Sequence, residues 1–436
     1  MSADGLLEHA AAVLRAARAA GADTADVVMQ VGTSLSIQRR LGKTEETERA
    51  ESRELGLRVF VGRCSAQVSA SAIDPASFTR LAEQAVAMAR VVPPDPYAEI
   101  PEAPPPMDAA LLELDDAQEP APEVLIGRAA AAEDAALSIP GITNSEGAQA
   151  GWSRGLSLLA TSRGFAAVYA RSSHSVSATA IAGTGTGMQR DYDSDSAVFG
   201  ADLQDAASLG RSAAERALAR LNPARLRTAK LPVIFHPRVA GSILGHLAAA
   251  IQGAAIARGT SFLKDSLGTA VFSPGIDIID DPLRVRGRRS RPFDREGQAG
   301  APRRFIEDGR LTGWILDTRS ANQLGLQSTG HAGGVSNLYM QAGKLSPAAL
   351  MADITEGLLV TELIGMGVNG ITGDYSRGAA GFMIRHGVIA EPVAEFTIAG
   401  NLREMFSHLT PADDLVFKRG TDAPSLRIEG MTLAGV

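Results

Sequence analysis

Cysteine is almost absent from this sequence. Its 436 residues include a single one, Cys64. A lone cysteine excludes an intramolecular disulfide and any zinc or iron–sulfur site built from several thiolates. The same scarcity is consistent with a reducing cytosol.

Targeting and membrane-spanning segments are also missing. The first residues carry acidic side chains and no basic cluster, so we expect no secretory signal. Between Val239 and Ala257 the chain has no formal charge, over about the length that a membrane span needs. Glycine, serine, histidine and glutamine interrupt this stretch, and much of the rest is alanine. We therefore predict a protein-buried helix, no membrane contact and a cytoplasmic location.

Neither sign of charge dominates. The 42 basic and 49 acidic residues leave a net charge of −7, which argues against a chain that grips nucleic acid over its whole surface. Apolar residues make up 45% and charged residues 21%, as in ordinary globular proteins. Such a chain can bury a large core, and its length suggests two or three domains.

The N-terminal half repeats one order of elements. Residues 1–95 predict, in sequence, helix 4–20, strand 26–31, a polar hairpin or loop at 38–55, a hairpin at 56–71 and helix 74–91. A proline-rich linker follows at 96–122. Residues 123–228 then predict helix 123–137, strands near 142–146, 156–162 and 165–182, and helix 202–221. The pattern indicates an α+β fold whose N-terminal region has two helix–strands–helix units.

The C-terminal part, residues 229–436, has a different sequence pattern. A strand at 232–235 leads into the uncharged helix. After Gly259, short apolar runs alternate with turns rich in glycine, proline, asparagine and aspartate. This predicts a β-rich, barrel-like domain of many short strands.

Two glycine-containing motifs match the sequence patterns of known sites, but the secondary structure that those sites require is not predicted around them. Residues 151–155 read Gly-Trp-Ser-Arg-Gly, but no strand-to-helix turn of a nucleophile elbow is predicted there. Residues 183–188 resemble a dinucleotide fingerprint, but Met188 replaces its last glycine and no βαβ unit surrounds it. We interpret the first as a chance match and the second as a flexible turn.

No histidine pair has the spacing of a zinc peptidase. The 7 histidines are scattered, and no Asp or Glu occurs from residue 216 to 264 to act as a general base beside a metal. We therefore predict that His246 is a packed, hydrogen-bonded helix residue. Small residues recur every four positions on its helix and allow close packing against another element: Gly241, Gly245, Ala249 and Gly253.

Three polar segments are candidates for binding. The arginine-rich run 284–291 predicts either a solvated strand and turn or a patch for an acidic peptide or nucleic acid. His331 and Gly333 lie in a glycine-rich turn, where backbone groups can approach a ligand. The third segment supplies an acid, a phenol and a guanidinium that either pair at a turn or line a groove: Asp374, Tyr375 and Arg377.

Several segments together resemble the TldD/PmbA family, in its PmbA (TldE) branch. They follow the family order across most of residues 231–436, at 259–263, 290–297, 328–334, 367–378 and 397–402. The N-terminal half is similar at 143–147 and 172–175. The family was once described as modulators of DNA gyrase and is now regarded as peptidases. The resemblance implies an α+β fold with an N-terminal region and a C-terminal domain.

The resemblance also implies where zinc belongs. The TldD branch carries a His-Glu-x-x-x-His helix and a cysteine near the C-terminus as its zinc site. The corresponding positions here fall near Leu244, Gly245 and Ala249, which are neither ligands nor bases, and Cys64 lies far upstream. We therefore expect no metal or cofactor in this chain, and zinc in a TldD-like partner.

The sequence leaves three functional hypotheses open. In the first, the chain is the non-catalytic subunit of a cytoplasmic TldD–TldE metallopeptidase that degrades or processes peptides, and it forms homodimers when alone. Its substrate or partner would contact His331, Gly333, Asp374, Tyr375 and Arg377. In the second, it is an independent hydrolase that uses His331, Asp374, Tyr375 and Arg377. In the third, which the net negative charge disfavours, it acts on gyrase or DNA through residues 284–291.

Overall fold

The computed structural model describes residues 1–435. Its helices are α1 Ala3–Ala20, α2 Phe78–Ala89, α3 Pro122–Leu137, α4 Ala206–Ala219, α5 Pro237–Ala250, α6 Gly253–Ala257, α7 Thr318–Leu324, α8 Pro347–Met351 and α9 Leu402–Ser407. Its first six strands are β1 Thr24–Arg40, β2 Lys43–Val61, β3 Cys64–Ala70, β4 Ile142–Thr161, β5 Ala166–Ala182 and β6 Gln189–Ala197. The later strands are β7 Ala229–Phe235, β8 Ile278–Asp280, β9 Arg303–Glu307, β10 Arg310–Leu311, β11 Leu338–Met340, β12 Glu356–Val368, β13 Asp374–Arg385, β14 Val388–Asn401, β15 Leu409–Pro411, β16 Thr421–Asp422 and β17 Leu426–Ala434.

Helix α1 shows how local sequence specifies these elements. The Ser2 side chain caps its first turn by accepting a hydrogen bond from the backbone N–H of Gly5 at 3.2 Å. Gly21 ends the helix in the left-handed conformation, which glycine adopts without strain. Apolar residues recur every three or four positions and form one buried stripe: Leu6, Ala10, Val13 and Ala17.

The two N-terminal units share one antiparallel sheet. Its strand order is β3-β2-β1-β4-β5-β6, so β1 of the first unit pairs with β4 of the second. On one face of β1, Val27 and Met29 pack in the core formed with α1 and α2. Further along the same face, Leu35 and Ile37 pack with α3. Helices therefore cover one face, and the opposite face turns toward the C-terminal domain.

The C-terminal region contains a closed β-barrel. Five strands follow one another in the order β14-β13-β12-β7-β17, and a pairing between β14 and β17 closes the ring. Strands β7 and β12 run parallel, whereas the other neighbours run antiparallel. The predicted α+β fold and its barrel-like C-terminal domain are confirmed.

Helix α5 packs between the barrel and a second sheet. It contacts β7 and β12 of the barrel, and β11 and β16 of the sheet β10-β9-β8-β11-β16. The close packing predicted for its small residues is confirmed at Gly241, where a Cβ would meet the Thr421 carbonyl oxygen at 2.5 Å. It is wrong for Gly245 and Ala249, which lie on the exposed face.

The uncharged segment is not one helix. Helix α5 ends at Ala250, because the chain turns there and the Gly253 N–H donates a hydrogen bond to the Ile315 carbonyl at 2.8 Å instead of to the preceding turn. A Cβ at Gly253 would meet Ser320 Oγ at 2.5 Å, so the start of α6 also packs closely. Across residues 1–435, every helix falls short of the length or hydropathy needed to cross a membrane.

In the N-terminal half, two predicted regions prove to be parts of long strands. The polar stretch 38–55 belongs to the hairpin of β1 and β2, which pair from Thr24 opposite Phe60 to Arg40 opposite Lys43. The strands predicted at 142–146 and 156–162 are one strand, β4, since its middle pairs with β1 and β5 throughout. The Gly-x-Ser-x-Gly motif, residues 151–155, lies inside β4. In the segment that resembles a dinucleotide fingerprint, a 3-10 turn occupies Gly185–Gly187.

The proline-rich stretch packs against the C-terminal domain. Ile100, Leu112 and Leu114 within it are buried. Just before it, Asp95 accepts a hydrogen bond from Arg319 of α7 at 2.6 Å. The stretch therefore connects the N-terminal units and also fixes them to the barrel domain.

Candidate functional site

Two clefts lie where the N-terminal sheet meets the C-terminal domain. The larger, about 890 Å³, lies between the open face of the sheet and the loops at 291–296 and 332–333, and we call it the sheet cleft. The smaller, about 460 Å³, lies between β5 and β6, the start of α5, and strands β12 and β13. We call it the arginine cleft.

Buried carboxylates organise the loops of the sheet cleft. Asp294 accepts hydrogen bonds from three backbone N–H groups, those of Glu296, Gln298 and Ala332. Glu296 accepts from the backbone N–H and the hydroxyl of Thr318, at 2.9 and 2.6 Å. Burial raises the pKa of both carboxyls, and these hydrogen bonds partly oppose the effect. Both acids therefore hold the loops that form the cleft wall.

Gly333 lines the sheet cleft, whereas His331 lies behind it. The His331 Nε2 is 3.2 Å from Asp280 Oδ2, and its Nδ1 is 2.6 Å from the Thr329 carbonyl oxygen. Its ring stands edge-on to Phe305, and only 1% of the residue is exposed. Of the two roles considered for His331, these contacts favour the structural one, in which it fixes the glycine-rich turn.

In the third candidate segment, which lies in β13, the acid of Asp374 faces away from the phenol of Tyr375 and the guanidinium of Arg377. Asp374 is exposed, and hydrogen bonds from the Thr372 hydroxyl and the Asn401 amide lower its pKa. Successive side chains in a strand point to opposite faces, so Tyr375 and Arg377 lie on the other face of β13. Tyr375 packs in the C-terminal core, and Arg377 lines the arginine cleft. The four groups of the independent-hydrolase hypothesis therefore do not form one constellation in this structure.

Guanidinium groups outnumber carboxylates in the arginine cleft. Two acids line it, Asp191 and Glu362, beside six arginines: Arg190, Arg220, Arg238, Arg289, Arg377 and Arg419. Asp191 pairs with Arg238 at 2.7 Å and Arg220 at 3.2 Å, and Arg220 also contacts Glu362. Outside the cleft lining, Glu146 pairs with Arg190. Within residues 1–435, Arg289, Arg377 and Arg419 form no ion pair.

Four residues beside the arginine cleft bury polar atoms that have no hydrogen-bond partner among the described residues. These atoms are Thr361 Oγ1, Arg377 Nε, His246 Nε2 and the Tyr375 hydroxyl, and we call the four residues the polar cluster. The His246 and Tyr375 rings meet edge to face, with centroids 5.8 Å apart. Packing of His246 is thus as predicted, but the predicted hydrogen bond is wrong at Nε2.

Arg377 influences both rings of the polar cluster. Burial lowers the pKa of His246, and the positive charge of Arg377 lowers it further. Burial raises the pKa of Tyr375, and Arg377 opposes that rise. The guanidinium is therefore close to both rings.

The positions to which the resemblance assigns the zinc motif carry no ligand. Leu244 is buried in the C-terminal core, and Gly245 and Ala249 are exposed. His246 is the nearest histidine, but it has only Arg377 as a charged neighbour. Among residues 1–435, no three His, Cys, Asp or Glu side chains converge on a point where a metal ion would fit. The residues present on α5 do not fit a zinc site.

The basic run 284–291 is a series of turns, so the predicted strand is wrong. Its arginines bind other parts of the chain. Arg286 pairs with Glu113 and Asp202, and the Arg284 guanidinium lies 3.4 Å from the centre of the Phe417 ring. The Arg286 pairs tie the N-terminal part of the chain to the C-terminal domain, and the Arg284 contact lies within that domain. Together they leave few free charges for nucleic acid.

His236 makes the stability of this region depend on pH. Its Nδ1 caps α5 by accepting a hydrogen bond from the Arg238 N–H at 3.2 Å. Burial, with Arg238 and Arg216 nearby, lowers its pKa from 6.5 to about 4. The unfolded chain then binds a proton that the folded chain does not, so stability is lost as the pH falls from 6.5 toward 4.

We expect the His236→Asn variant, which keeps a capping acceptor but does not titrate, to lose less stability than the wild type between pH 7 and pH 5. The pKa shift corresponds to a difference of up to about 2 kcal/mol at pH 5. Urea unfolding at both pH values measures it. Parallel losses in the two proteins would contradict the assignment.

The arginine cleft was not predicted as a site, although one signal was present in the sequence. The segment without acids, 216–264, carries only basic charges, and it supplies Arg220 and Arg238. A surplus of one sign over so long a segment indicates a local positive surface. Arg289 joins it from the basic run 284–291, which was a candidate patch for an acidic peptide, and Arg419 from a third segment. No local pattern indicates that these segments meet.

Comparison with known proteins identifies the family. Three models of PmbA/TldA metallopeptidases match consecutive parts of the chain: domain 1 at residues 25–89, the central domain at 115–221 and the C-terminal domain at 228–435. Metalloprotease PmbA of Escherichia coli O157:H7 is 37% identical over 99% of this chain and 96% of its own length. A PmbA homologue of Haemophilus influenzae is 35% identical over 94% and 92%.

Solved structures show the same fold. A proposed modulator of DNA gyrase from Bacteroides thetaiotaomicron superimposes with a TM-score of 0.93 over 100% of both chains, at 24% identity. TldE from Thermococcus kodakarensis does so with a TM-score of 0.85 over 98% of this chain and 100% of its own, at 19% identity. The sequence relatives and the domain models together show that this chain belongs to the PmbA/TldA metallopeptidase family, in its PmbA (TldE) branch.

Proposed function

We propose that this chain is the non-zinc subunit of a cytoplasmic metallopeptidase, in which a TldD-like partner carries the zinc and the complex degrades or processes peptides. The observation that carries the proposal is helix α5. By the family resemblance it corresponds to the zinc helix of the TldD branch, yet Leu244, Gly245 and Ala249 stand near the expected ligand and base positions. Zinc hydrolysis needs both metal ligands and a group that handles the proton of the bound water, so the chemistry must come from another chain.

The role left to this chain is to hold the peptide and the partner. The sheet cleft is bordered by strand residues and by the turn at Gly333, and a cleft of this kind suits an extended peptide. Its wall is fixed by the Asp294 and Glu296 hydrogen bonds described above, so it is preorganised. In the absence of the partner, homodimers would use similar surfaces.

The test is reconstitution with a purified TldD-like chain. We expect the mixture to cleave unfolded casein at least tenfold faster than either chain alone, and this chain alone to bind less than one-tenth of an equivalent of zinc. A mixture no faster than the zinc chain alone would contradict the proposal.

The variant Asp374→Asn provides the matched control against the independent-hydrolase hypothesis. Asp374 is exposed on the outer side of β13, and asparagine can keep its hydrogen bond from Thr372. We therefore expect the variant to fold as the wild type does, and neither form to cleave peptide when it is alone. Cleavage by this chain alone that Asp374→Asn abolishes would favour the independent hydrolase instead.

A further inference from the structure

We propose that the arginine cleft binds a carboxylate group carried by a peptide. The positive charge of the cleft is a property of this chain alone, whereas the choice of a peptide as the carrier rests on the proposed function. The site is separate from the α5 positions of the zinc motif, because Leu244, Gly245 and Ala249 are not among the residues that line it.

Unbalanced charge is the first argument. Both acids of the lining are already paired with arginines, and Asp191 holds two of them. Arg289, Arg377 and Arg419 therefore line one cleft without an ion-pair partner in the part of the chain that the structure describes. The Arg419 guanidinium has only a 3.5 Å contact with the Pro237 carbonyl, and the Arg289 guanidinium a 3.4 Å contact with Thr421 Oγ1. Like charges held together in this way favour an anion between them.

Unsatisfied hydrogen-bonding groups are the second argument. Buried polar atoms in native proteins nearly always have partners, and one left without a partner costs free energy. Arg377 Nε is a donor only, and Thr361 Oγ1 lies in the same cleft wall, yet neither has a partner among residues 1–435. An oxyanion accepts from both kinds of group, and a guanidinium matches the two oxygens of a carboxylate.

The orientation of α5 supports the same conclusion as these two arguments. The helix begins in the cleft, where Pro237, Arg238 and Val239 belong to the lining, so the positive end of its dipole points there. Burial lowers the pKa of His236 and His246, and the positive charges of Arg238 and Arg377 respectively lower it further. Both histidines are therefore neutral near pH 7, and the arginines provide the fixed charge.

A peptide offers one carboxylate whatever its sequence, at its C-terminus. Recognition there would orient an extended chain without reading its side chains. A free phosphate has the same charge chemistry, so the test must distinguish the two sources.

The test measures binding to the isolated full chain by calorimetry, with N-acetylated hexaalanine as the probe. We expect the peptide with a free C-terminal carboxylate to bind at least tenfold more tightly than the same peptide as its C-terminal amide. Arg377→Gln should remove that difference, and Arg377→Lys should keep part of it. Arg80→Gln is the matched control, because Arg80 is an exposed arginine of α2, away from the cleft, and its loss should change nothing.

Three results would overturn the proposal: equal binding of acid and amide, an unchanged difference in Arg377→Gln, or tighter binding of inorganic phosphate than of the peptide acid. The reconstitution experiment is independent of all three. If the peptide acid is not recognised but the mixture cleaves faster, this site is wrong and the proposed function stands. If the acid is recognised but the mixture is no faster, this site stands and the proposed function is wrong.

Discussion

Replacing Asp280 by alanine is expected to destabilise the C-terminal domain more than any other single change considered for this chain. Asp280 is completely buried, and it accepts a hydrogen bond from the Ser336 N–H at 2.8 Å and lies 3.2 Å from His331 Nε2. Alanine would leave both groups buried without a partner, at about 1–3 kcal/mol each. Urea unfolding should therefore show a loss of about 2–6 kcal/mol.

The matched control is Asp280→Asn, which has the same shape and keeps an oxygen for the Ser336 N–H. We expect it to lose distinctly less than Asp280→Ala. A loss below about 0.5 kcal/mol in Asp280→Ala would show that water replaces the carboxylate, and the structural role assigned to His331 would be wrong.

The second large effect is expected at Gly210, in the middle of α4. A Cβ there would meet the Ala132 carbonyl oxygen of α3 at 1.9 Å, so the backbones of the two helices are in direct contact. Backbone atoms cannot rotate away as a side chain can, so Gly210→Ala must push the helices apart. Overpacking of this kind costs about 1–3 kcal/mol, which exceeds the roughly 1 kcal/mol that alanine contributes to a helix. Thermal unfolding measures the difference.

Gly127→Ala is the control, because Gly127 lies in α3 with nothing within 4 Å of its added Cβ. There only the helix propensity changes, and we expect a gain of about 0.5–1 kcal/mol. If both variants gained stability, the close contact between α3 and α4 would not exist in solution.

The sequence predicted the elements of the fold better than their pairing. The periodicity of α1 is local, so the helix could be predicted directly from the sequence. The pairing of β1 with β4 joins residues more than a hundred positions apart, and no local pattern indicates which strands become neighbours. The barrel-like domain followed from its turns, but its closure depends on the contact between β14 and β17.

The same distinction between local and long-range features applies to the residues of the candidate site. Gly333 and Arg377 were identified from glycine-flanked motifs, and both line clefts. The burial of His331 was not predictable, because its partner Asp280 lies 51 positions away. Likewise, Arg289, Arg377 and Arg419 come from three separate segments, and only the fold brings them to one surface.

The closing strand of the barrel sets an order of assembly during protein synthesis. Strand β7 is made early, with β12 as one neighbour and β17, almost 200 residues later, as the other. Until β17 leaves the ribosome, β7 and β14 both present open edges beside an exposed apolar interior, and such edges pair readily with other chains. Cells that make this protein should therefore need a chaperone, or rapid completion of the last strand, to keep the incomplete barrel from aggregating.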